Sequence, residues 1–172
     1  MVSVRAASLR RASDAPRKGR IDVPRRHRFP AESEATGPES RRSRARRRAG
    51  LVLIVDDALH TRELYTEYLT YRGLGVVSAP EAETGLRLAE TLKPDVIVMD
   101  IAMPGLNGIT ATHRLRLNPR TRRIPIIVLT GYAFRAIEQG ALEAGANVFL
   151  TKPCLPEDLE LKIRELLTTP GA

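Results

Sequence analysis

The sequence contains a single cysteine and no tryptophan, and aromatic residues make up only 4% of its 172 residues. One cysteine cannot form a disulfide within the chain or supply a cysteine-based zinc site. No apolar run approaches the roughly 18 residues of a membrane-spanning helix. The basic N-terminus lacks the apolar stretch of roughly 7–15 residues that a secretory signal requires. These absences favour a protein of a reducing compartment, and we expect it in the cytoplasm.

Positive charge is concentrated in the N-terminal part of the chain. Residues 1–50 hold 15 of the 28 Lys and Arg residues but only 5 of the 20 acidic residues. This segment has too few large apolar side chains to offset the backbone entropy of about 1–2 kcal/mol lost per ordered residue. We therefore predict a disordered Arg-rich extension over 1–49, a folded domain over 50–168 and a short tail over 169–172.

The most basic part of this extension is the segment 41–48, which contains six arginines. Such a run could neutralise phosphates of a nucleic acid or of an anionic membrane surface. The alternative is that residues 1–49 are a dispensable extension. The sequence leaves both interpretations open.

After Gly50, five short apolar segments alternate with five segments of helical periodicity. Continuous apolar runs are typical of strands buried on both faces, and apolar residues three or four positions apart are typical of amphipathic helices. The alternation predicts an α/β fold with a doubly wound, five-stranded parallel sheet. The predicted strands are 51–55, 76–77, 96–99, 126–129 and 147–150, and the predicted helices are 59–71, 81–92, 109–117, 133–144 and 156–167.

Polar residues follow four of the predicted strands. The first strand ends in Asp56 and Asp57, the third in Asp100, the fourth in Thr130 and the fifth in Lys152. The carboxyl ends of parallel strands meet at one edge of the sheet, so these side chains are predicted to form one pocket. Clustered carboxylates suit Mg²⁺, and a lysine and a hydroxyl supply donors to a tetrahedral oxyanion. This combination is typical of phosphoryl transfer, which depends on positioning and charge neutralisation.

Four motifs carry these residues: LVLIVDD at 51–57, DVIVMDIAMPGLNG at 95–108, PIIVLTGYA at 125–133 and FLTKP at 149–153. In this order, and at these strand ends, they resemble the receiver domain of two-component response regulators. The resemblance covers residues 51–168. It implies a flavodoxin-like (βα)5 fold with strand order 2-1-3-4-5.

The resemblance also implies a role for each pocket residue. Asp100 would be the phosphoacceptor, attacking the phosphorus of a phosphohistidine. Lys152 would bridge to the phosphoryl group or to Asp100, and Thr130 would hydrogen-bond the phosphoryl group and shift inward. The Mg²⁺ ligands would be the side chains of Asp56, Asp57 and Asp100 and the backbone carbonyl of Ala102.

Each pocket residue also has an interpretation in terms of local structure alone. Asp57 could cap the following helix, and Asp100 could belong to the turn that leads into residues 103–105. Lys152 could be an ordinary solvated lysine, and Thr130 a β-branched strand terminus. The interpretation as a phosphorylation site therefore rests on the constellation as a whole.

Four further positions have roles that only the resemblance implies. Phe149 matches the switch aromatic of the family, with core packing as a comparable alternative. The peptide bond between Lys152 and Pro153 would be cis. Ala102 and Tyr132 match positions that control the dephosphorylation rate; Ala102 offers no side chain to orient a water, whereas Tyr132 could shield the acyl phosphate. The expected output surface is formed by the segments 133–144, 147–151 and 156–167.

These expectations describe a single-domain response regulator of a phosphorelay, a phosphoprotein that signals to a partner protein. The phosphoryl donor would be a sensor histidine kinase or a histidine phosphotransfer protein. We expect no enzymatic activity beyond the protein's own phosphorylation and dephosphorylation, and no attached output domain. Two alternatives remain: a nucleic-acid-associated regulator that binds through its basic N-terminal arm, and a pseudo-receiver that works without phosphorylation.

Overall fold

Strands and helices alternate along residues 50–168, the part of the chain that the computed structural model describes. The strands are β1 (Leu51–Val55), β2 (Gly75–Ala79), β3 (Val96–Met99), β4 (Ile126–Thr130) and β5 (Val148–Thr151). The helices are α1 (Leu59–Tyr71), α2 (Ala82–Leu92), α3 (Gly108–Leu117), α4 (Arg135–Glu143) and α5 (Pro156–Thr168).

The five strands form one sheet in the order β2-β1-β3-β4-β5, and every neighbouring pair is parallel. The register aligns Val52 with both Val76 and Val96, and Thr130 with Thr151. Every residue of β3 and β4 is buried, which explains their continuous apolar sequences. The predicted α/β fold and the strand order 2-1-3-4-5 are confirmed.

Alternate residues of the central strands face opposite helical layers. One layer of the core includes Val52, Ile54, Val98 and Leu129 together with Tyr65, Leu69, Leu159 and Ile163 from α1 and α5. The other contains Leu53, Val55, Ile97 and Met99 together with Ala82, Ala89, Ala111 and Leu115 from α2 and α3. The sheet is therefore covered on both sides, and its strand ends are left for loops.

Strand β2 and helix α4 each have an end two residues away from the sequence-based prediction, and several other boundaries differ by one residue. Strand β2 is longer than the predicted 76–77, because its backbone pairs with all of β1. Helix α4 begins at Arg135 rather than at residue 133, because Phe134 is the extended N-cap residue, with φ −81° and ψ 134°. The predictions for 1–49 and 169–172 lie outside the described residues. Within 50–168, no helix combines the length and apolar character of a membrane span.

A buried carboxylate joins helices α1 and α5. Glu160 is 5% exposed, and its carboxylate accepts hydrogen bonds from Arg164 Nε at 2.7 Å, Arg72 Nε at 2.8 Å and the Tyr68 hydroxyl at 3.1 Å. Burial alone would raise the pKa of Glu160, but the hydrogen bonds from Arg164, Arg72 and Tyr68 outweigh it and hold the pKa below the ordinary value. The ionised form of Glu160 therefore stabilises the packing of α5 on α1.

We expect Glu160→Gln to lower the free energy of unfolding by about 2 kcal/mol at pH 7, since hydrogen bonds to an ionised group are lost. Because the pKa of Glu160 is lower in the folded state than in the unfolded state, this contribution to stability is present above the unfolded pKa of about 4.3. It is lost as the pH falls through the folded pKa. Urea denaturation from pH 3 to 8 measures the effect. Glu63→Gln, at an exposed position 3.9 Å from His60, should change stability by less than about 0.5 kcal/mol. If the difference in unfolding free energy between Glu160→Gln and the wild type did not change with pH, the stabilising role of ionised Glu160 would be contradicted.

Gly108 allows α3 to begin directly against the residue that follows β3. A Cβ atom at this position would overlap the carbonyl oxygen of Asp100 and lie 2.8 Å from its carbonyl carbon. The Gly108 N–H donates to the Ile101 carbonyl at 3.1 Å, and Asn107 caps the helix by accepting from the Thr110 N–H at 2.8 Å. The backbone at Asp100 is thus held by a close contact that no other residue type permits.

Gly108→Ala should therefore destabilise the domain by about 2 kcal/mol, the usual cost of forcing a methyl group into a packed contact. Gly131→Ala is the matched control, because no atom lies within 4 Å of the Cβ that it would add. Thermal and urea denaturation of both variants would measure the difference. Equal stability of the two variants would contradict the close approach.

Candidate functional site

Three carboxylates meet at the carboxyl edge of the sheet. Asp56 and Asp57 follow β1, and Asp100 follows the neighbouring strand β3. One oxygen atom from each lies within 4.8 Å of the others, so the three could hold a metal ion. Asp56 and Asp100 are buried, at 3% and 5% exposure, whereas Asp57 is exposed. The parallel register thus brings together side chains that are more than 40 residues apart in the chain.

The Lys152 ammonium lies between the two buried carboxylates. Its Nζ atom is 2.6 Å from Asp56 Oδ2 and 3.0 Å from Asp100 Oδ2. The other oxygen of each carboxylate also accepts a hydrogen bond. Asp56 Oδ1 accepts from the Ala58 N–H at 2.9 Å, and Asp100 Oδ1 accepts from the Ala102 N–H at 3.2 Å. Burial lowers the pKa of Lys152, but its hydrogen bonds and the charges of both carboxylates outweigh this, and the pKa is raised. Lys152 therefore supplies the positive charge of the site.

The loop after β5 that carries Lys152 is held on both sides. The Lys152 N–H donates to the Thr130 carbonyl at 2.8 Å, which continues the pairing of β5 with β4. The peptide bond between Lys152 and Pro153 is cis, as the resemblance implies. The hydroxyl of Tyr65 in α1 donates to the Cys154 carbonyl at 2.9 Å, and burial raises its pKa to about 12, so the hydroxyl stays protonated at neutral pH.

The structure tests whether Asp57 caps a helix and whether Asp100 belongs to a turn. Helix α1 has Ala58 as its N-cap residue and no side-chain hydrogen bond at the cap, which argues against a capping role for Asp57. Asp100 does take part in a turn, since its side chain accepts from the N–H two residues ahead. That turn and the contact with Lys152 use different carboxylate oxygens. The local role of Asp100 and its place in the pocket are therefore compatible.

Thr130 and Phe149 lie in the strands next to the pocket. Thr130 is fully buried, and its Oγ1 accepts from the Tyr132 N–H at 3.4 Å. Phe149 is partly buried and packs against a small cluster that includes Val128 and Ala141. Tyr132 is 51% exposed at the rim, and Ala102 is also exposed. The positions of all four are compatible with the roles that the resemblance implies.

Arg62 is a residue of the site that the sequence analysis missed. From α1, its Nη1 donates to the carbonyl oxygens of Asp56 at 2.7 Å and Asp57 at 2.9 Å. One guanidinium nitrogen thus fixes two consecutive carbonyls, and with them the loop that carries the acidic pair. In the sequence it is one of 28 basic residues, and its spacing from Asp57 carries no signal by itself.

We expect Lys152→Met to destabilise the domain by about 3 kcal/mol, because it leaves two buried carboxylates without their cation. A divalent cation should restore part of this loss, since it replaces the missing charge. Denaturation with and without Mg²⁺ measures both effects. Lys162→Met is the control: its partner Glu165 is exposed, so the loss should stay below about 1 kcal/mol. Equal stability of Lys152→Met and the wild type would contradict this account of the site.

Comparisons with known proteins agree with this geometry. The family model described as response regulator receiver domain matches residues 52–164. The chain is 38% identical over 116 residues to the protein PilH of Pseudomonas aeruginosa, covering 67% of this chain and 96% of PilH. It is 36% identical over 115 residues to the response regulator PleD of Caulobacter vibrioides, covering 67% of this chain but only 25% of PleD.

Solved structures show the same fold. The receiver domain of the sensor histidine kinase PA1611 from Pseudomonas aeruginosa, solved with a magnesium ion coordinated in its active site cleft, matches with a TM-score of 0.66 and 29% identity. The match covers 70% of this chain and 99% of that one. Together, the sequence match, the strand order and the strand-end carboxylates show that the chain belongs to the response regulator receiver domain family.

Proposed function

We propose that this protein is a single-domain response regulator, a switch operated by phosphorylation of Asp100. The observation that carries the proposal is the group of three carboxylates with Lys152 between two of them, at the carboxyl edge of a receiver fold. The donor would be the phosphohistidine of a sensor histidine kinase or of a histidine phosphotransfer protein. The switch would work in the cytoplasm.

The donor set fits Mg²⁺. Hard oxygen ligands at this spacing suit the ion, which keeps several waters. Asp56, Asp57 and Asp100 would hold it with the backbone carbonyl of Ala102, and Arg62 would keep the first two in place through their carbonyls. The ion would supply charge neutralisation between the acidic pocket and an incoming phosphoryl group.

The proposed chemical step is transfer of one phosphoryl group to a carboxylate. An oxygen of Asp100 forms a bond to phosphorus as the phosphorus–nitrogen bond of the donor breaks, and the imidazole leaves with the electron pair and takes up a proton. Lys152, 3.0 Å from Asp100 Oδ2, would then pair with the phosphoryl oxygens. The Thr130 hydroxyl would donate a second hydrogen bond to them. Beyond this, the protein would catalyse only its own dephosphorylation.

Coupling to a partner protein would use the surface next to Thr130 and Phe149. The phosphoryl group adds about two negative charges and new acceptors, which can shift a buried hydroxyl and the packing beside it. Phe149 lies on β5 against Val128 of β4, so a change at the end of β4 could reach it directly. The output surface would be formed by the segments 133–144, 147–151 and 156–167.

The lifetime of the phosphoryl group would depend on the rim of the pocket. The exposed Ala102 has no side chain able to orient an attacking water, whereas Tyr132, 51% exposed, could shield the acyl phosphate.

The proposal predicts Mg²⁺-dependent modification of a single side chain. Incubation with acetyl phosphate and Mg²⁺ should add one phosphoryl group to the intact mass, and chelation of the metal should abolish the gain. Asp100→Asn should show none, whereas Asp95→Asn should behave as the wild type, because Asp95 lies at the other edge of the sheet, bonded to the Leu51 N–H. No gain in the folded wild type with acetyl phosphate or phosphoramidate would overturn the proposal in favour of a pseudo-receiver.

A further inference from the structure

Helix α1 contacts both halves of the proposed phosphorylation site without supplying a metal ligand or the phosphoacceptor. Arg62 and Tyr65 lie one turn apart on the same face of this helix. Arg62 binds the loop that carries Asp56 and Asp57, and Tyr65 binds the loop that follows Lys152. One rigid helix therefore reaches both the carboxylates and the loop of the ammonium.

In the acidic half of the site, Asp57 depends on Arg62 more than Asp56 does. The Asp57 side chain is exposed, and within residues 50–168 no hydrogen bond reaches its carboxylate. Its backbone carbonyl accepts from Arg62 Nη1 at 2.9 Å. Asp56 has a further support, because the Lys152 Nζ atom lies 2.6 Å from its carboxylate. Loss of the Arg62 guanidinium should therefore free Asp57 first.

In the basic half of the site, the loop after Lys152 is anchored by a single side chain. The Lys152 N–H donates to the Thr130 carbonyl at 2.8 Å, which fixes this residue on the side of β5. Pro153, the next residue, has no N–H to donate. The Cys154 carbonyl, one residue further, accepts from the Tyr65 hydroxyl at 2.9 Å. The Lys152 ammonium is therefore directed from a backbone that is held on both sides.

The core places the Tyr65 hydroxyl for this contact. The side chain is 3% exposed and packs with Leu69 and Ile163. Helix α1 carries a second tyrosine one turn further on, Tyr68, whose hydroxyl donates to the Glu160 carboxylate at 3.1 Å. The two hydroxyls thus distinguish a contact with a loop of the site from a contact that only packs helices.

We propose that Arg62 and Tyr65 are positioning residues that act on the two halves of the site separately. Arg62 sets the affinity for Mg²⁺, because it places the backbone of Asp57. Tyr65 sets the rate of phosphoryl transfer, because it places Lys152, whose ammonium neutralises charge on the phosphoryl oxygens. The inference rests on the proposed function and adds two residues that touch neither the ion nor the phosphoryl group.

The test measures Mg²⁺ affinity and phosphorylation rate in the same variants of the full chain. Isothermal titration calorimetry gives the dissociation constant for Mg²⁺, and intact mass after mixing with acetyl phosphate at saturating Mg²⁺ gives the rate. Arg62→Gln should weaken Mg²⁺ binding about tenfold and keep the rate within about twofold of the wild type. Tyr65→Phe should slow phosphorylation about tenfold and keep the dissociation constant within about twofold.

Each variant has a matched control. Tyr68→Phe removes a hydroxyl from the same helix, and Arg87→Gln removes a guanidinium that bonds to Thr84 within its own helix. Both controls should leave the Mg²⁺ affinity and the rate within about twofold of the wild type. Arg62→Lys keeps a charged donor at the acidic loop and should bind Mg²⁺ with an affinity between those of Arg62→Gln and the wild type. Tyr65→Phe keeps the buried ring and should fold, which circular dichroism checks.

The outcomes separate this inference from the proposed function. A folded wild type that acetyl phosphate does not modify overturns the proposed function, and the inference with it. If the wild type is modified, equal rates for Tyr65→Phe and Tyr68→Phe overturn the inference alone, because the contact with the lysine loop then has no effect of its own. An unchanged Mg²⁺ affinity in Arg62→Gln, or a parallel loss of affinity and rate in both variants, also overturns it.

Discussion

The ion pair of Lys152 with Asp56 and Asp100 is the interaction on which the organisation of this domain depends. Two carboxylates buried side by side would repel each other strongly in a medium of low dielectric constant. An ammonium 2.6 and 3.0 Å from them offsets that repulsion. The three residues come from three strand ends, so this one cluster joins β1, β3 and β5 at the edge where the chemistry is proposed to occur.

The rest of the fold holds these strand ends in place. Apolar strands packed between two helical layers fix the register, and the close approach of α3 at Gly108 sets the backbone at Asp100. On the first helix, Arg62 binds the carbonyls of the acidic pair. Side chains placed by rigid elements need little reorganisation when a charged phosphoryl group binds. Such prior positioning is the main requirement of phosphoryl transfer.

The same architecture places acidic residues at one edge of the sheet and basic residues at the other. In parallel βα units every helix returns the chain to the amino edge, so one edge collects the strand-end acids and the other the connections that begin strands. In this chain those connections are basic. The pocket around Asp100 therefore lies at the acidic edge, and the exposed arginines of the connection between α3 and β4 lie at the opposite one.

The sequence by itself determined the alternation of strands and helices and the acidic, hydroxyl and basic residues at the strand ends, because apolar runs and the residues that end them are local features. It also pointed to Asp56, Asp57, Asp100, Thr130 and Lys152 as one pocket. Only the tertiary structure decided that Lys152 contacts Asp56 as well as Asp100, that Arg62 holds the acidic loop, and that Glu160 is buried between two helices. Those contacts depend on side-chain direction and on the packing of distant elements, neither of which a local pattern encodes.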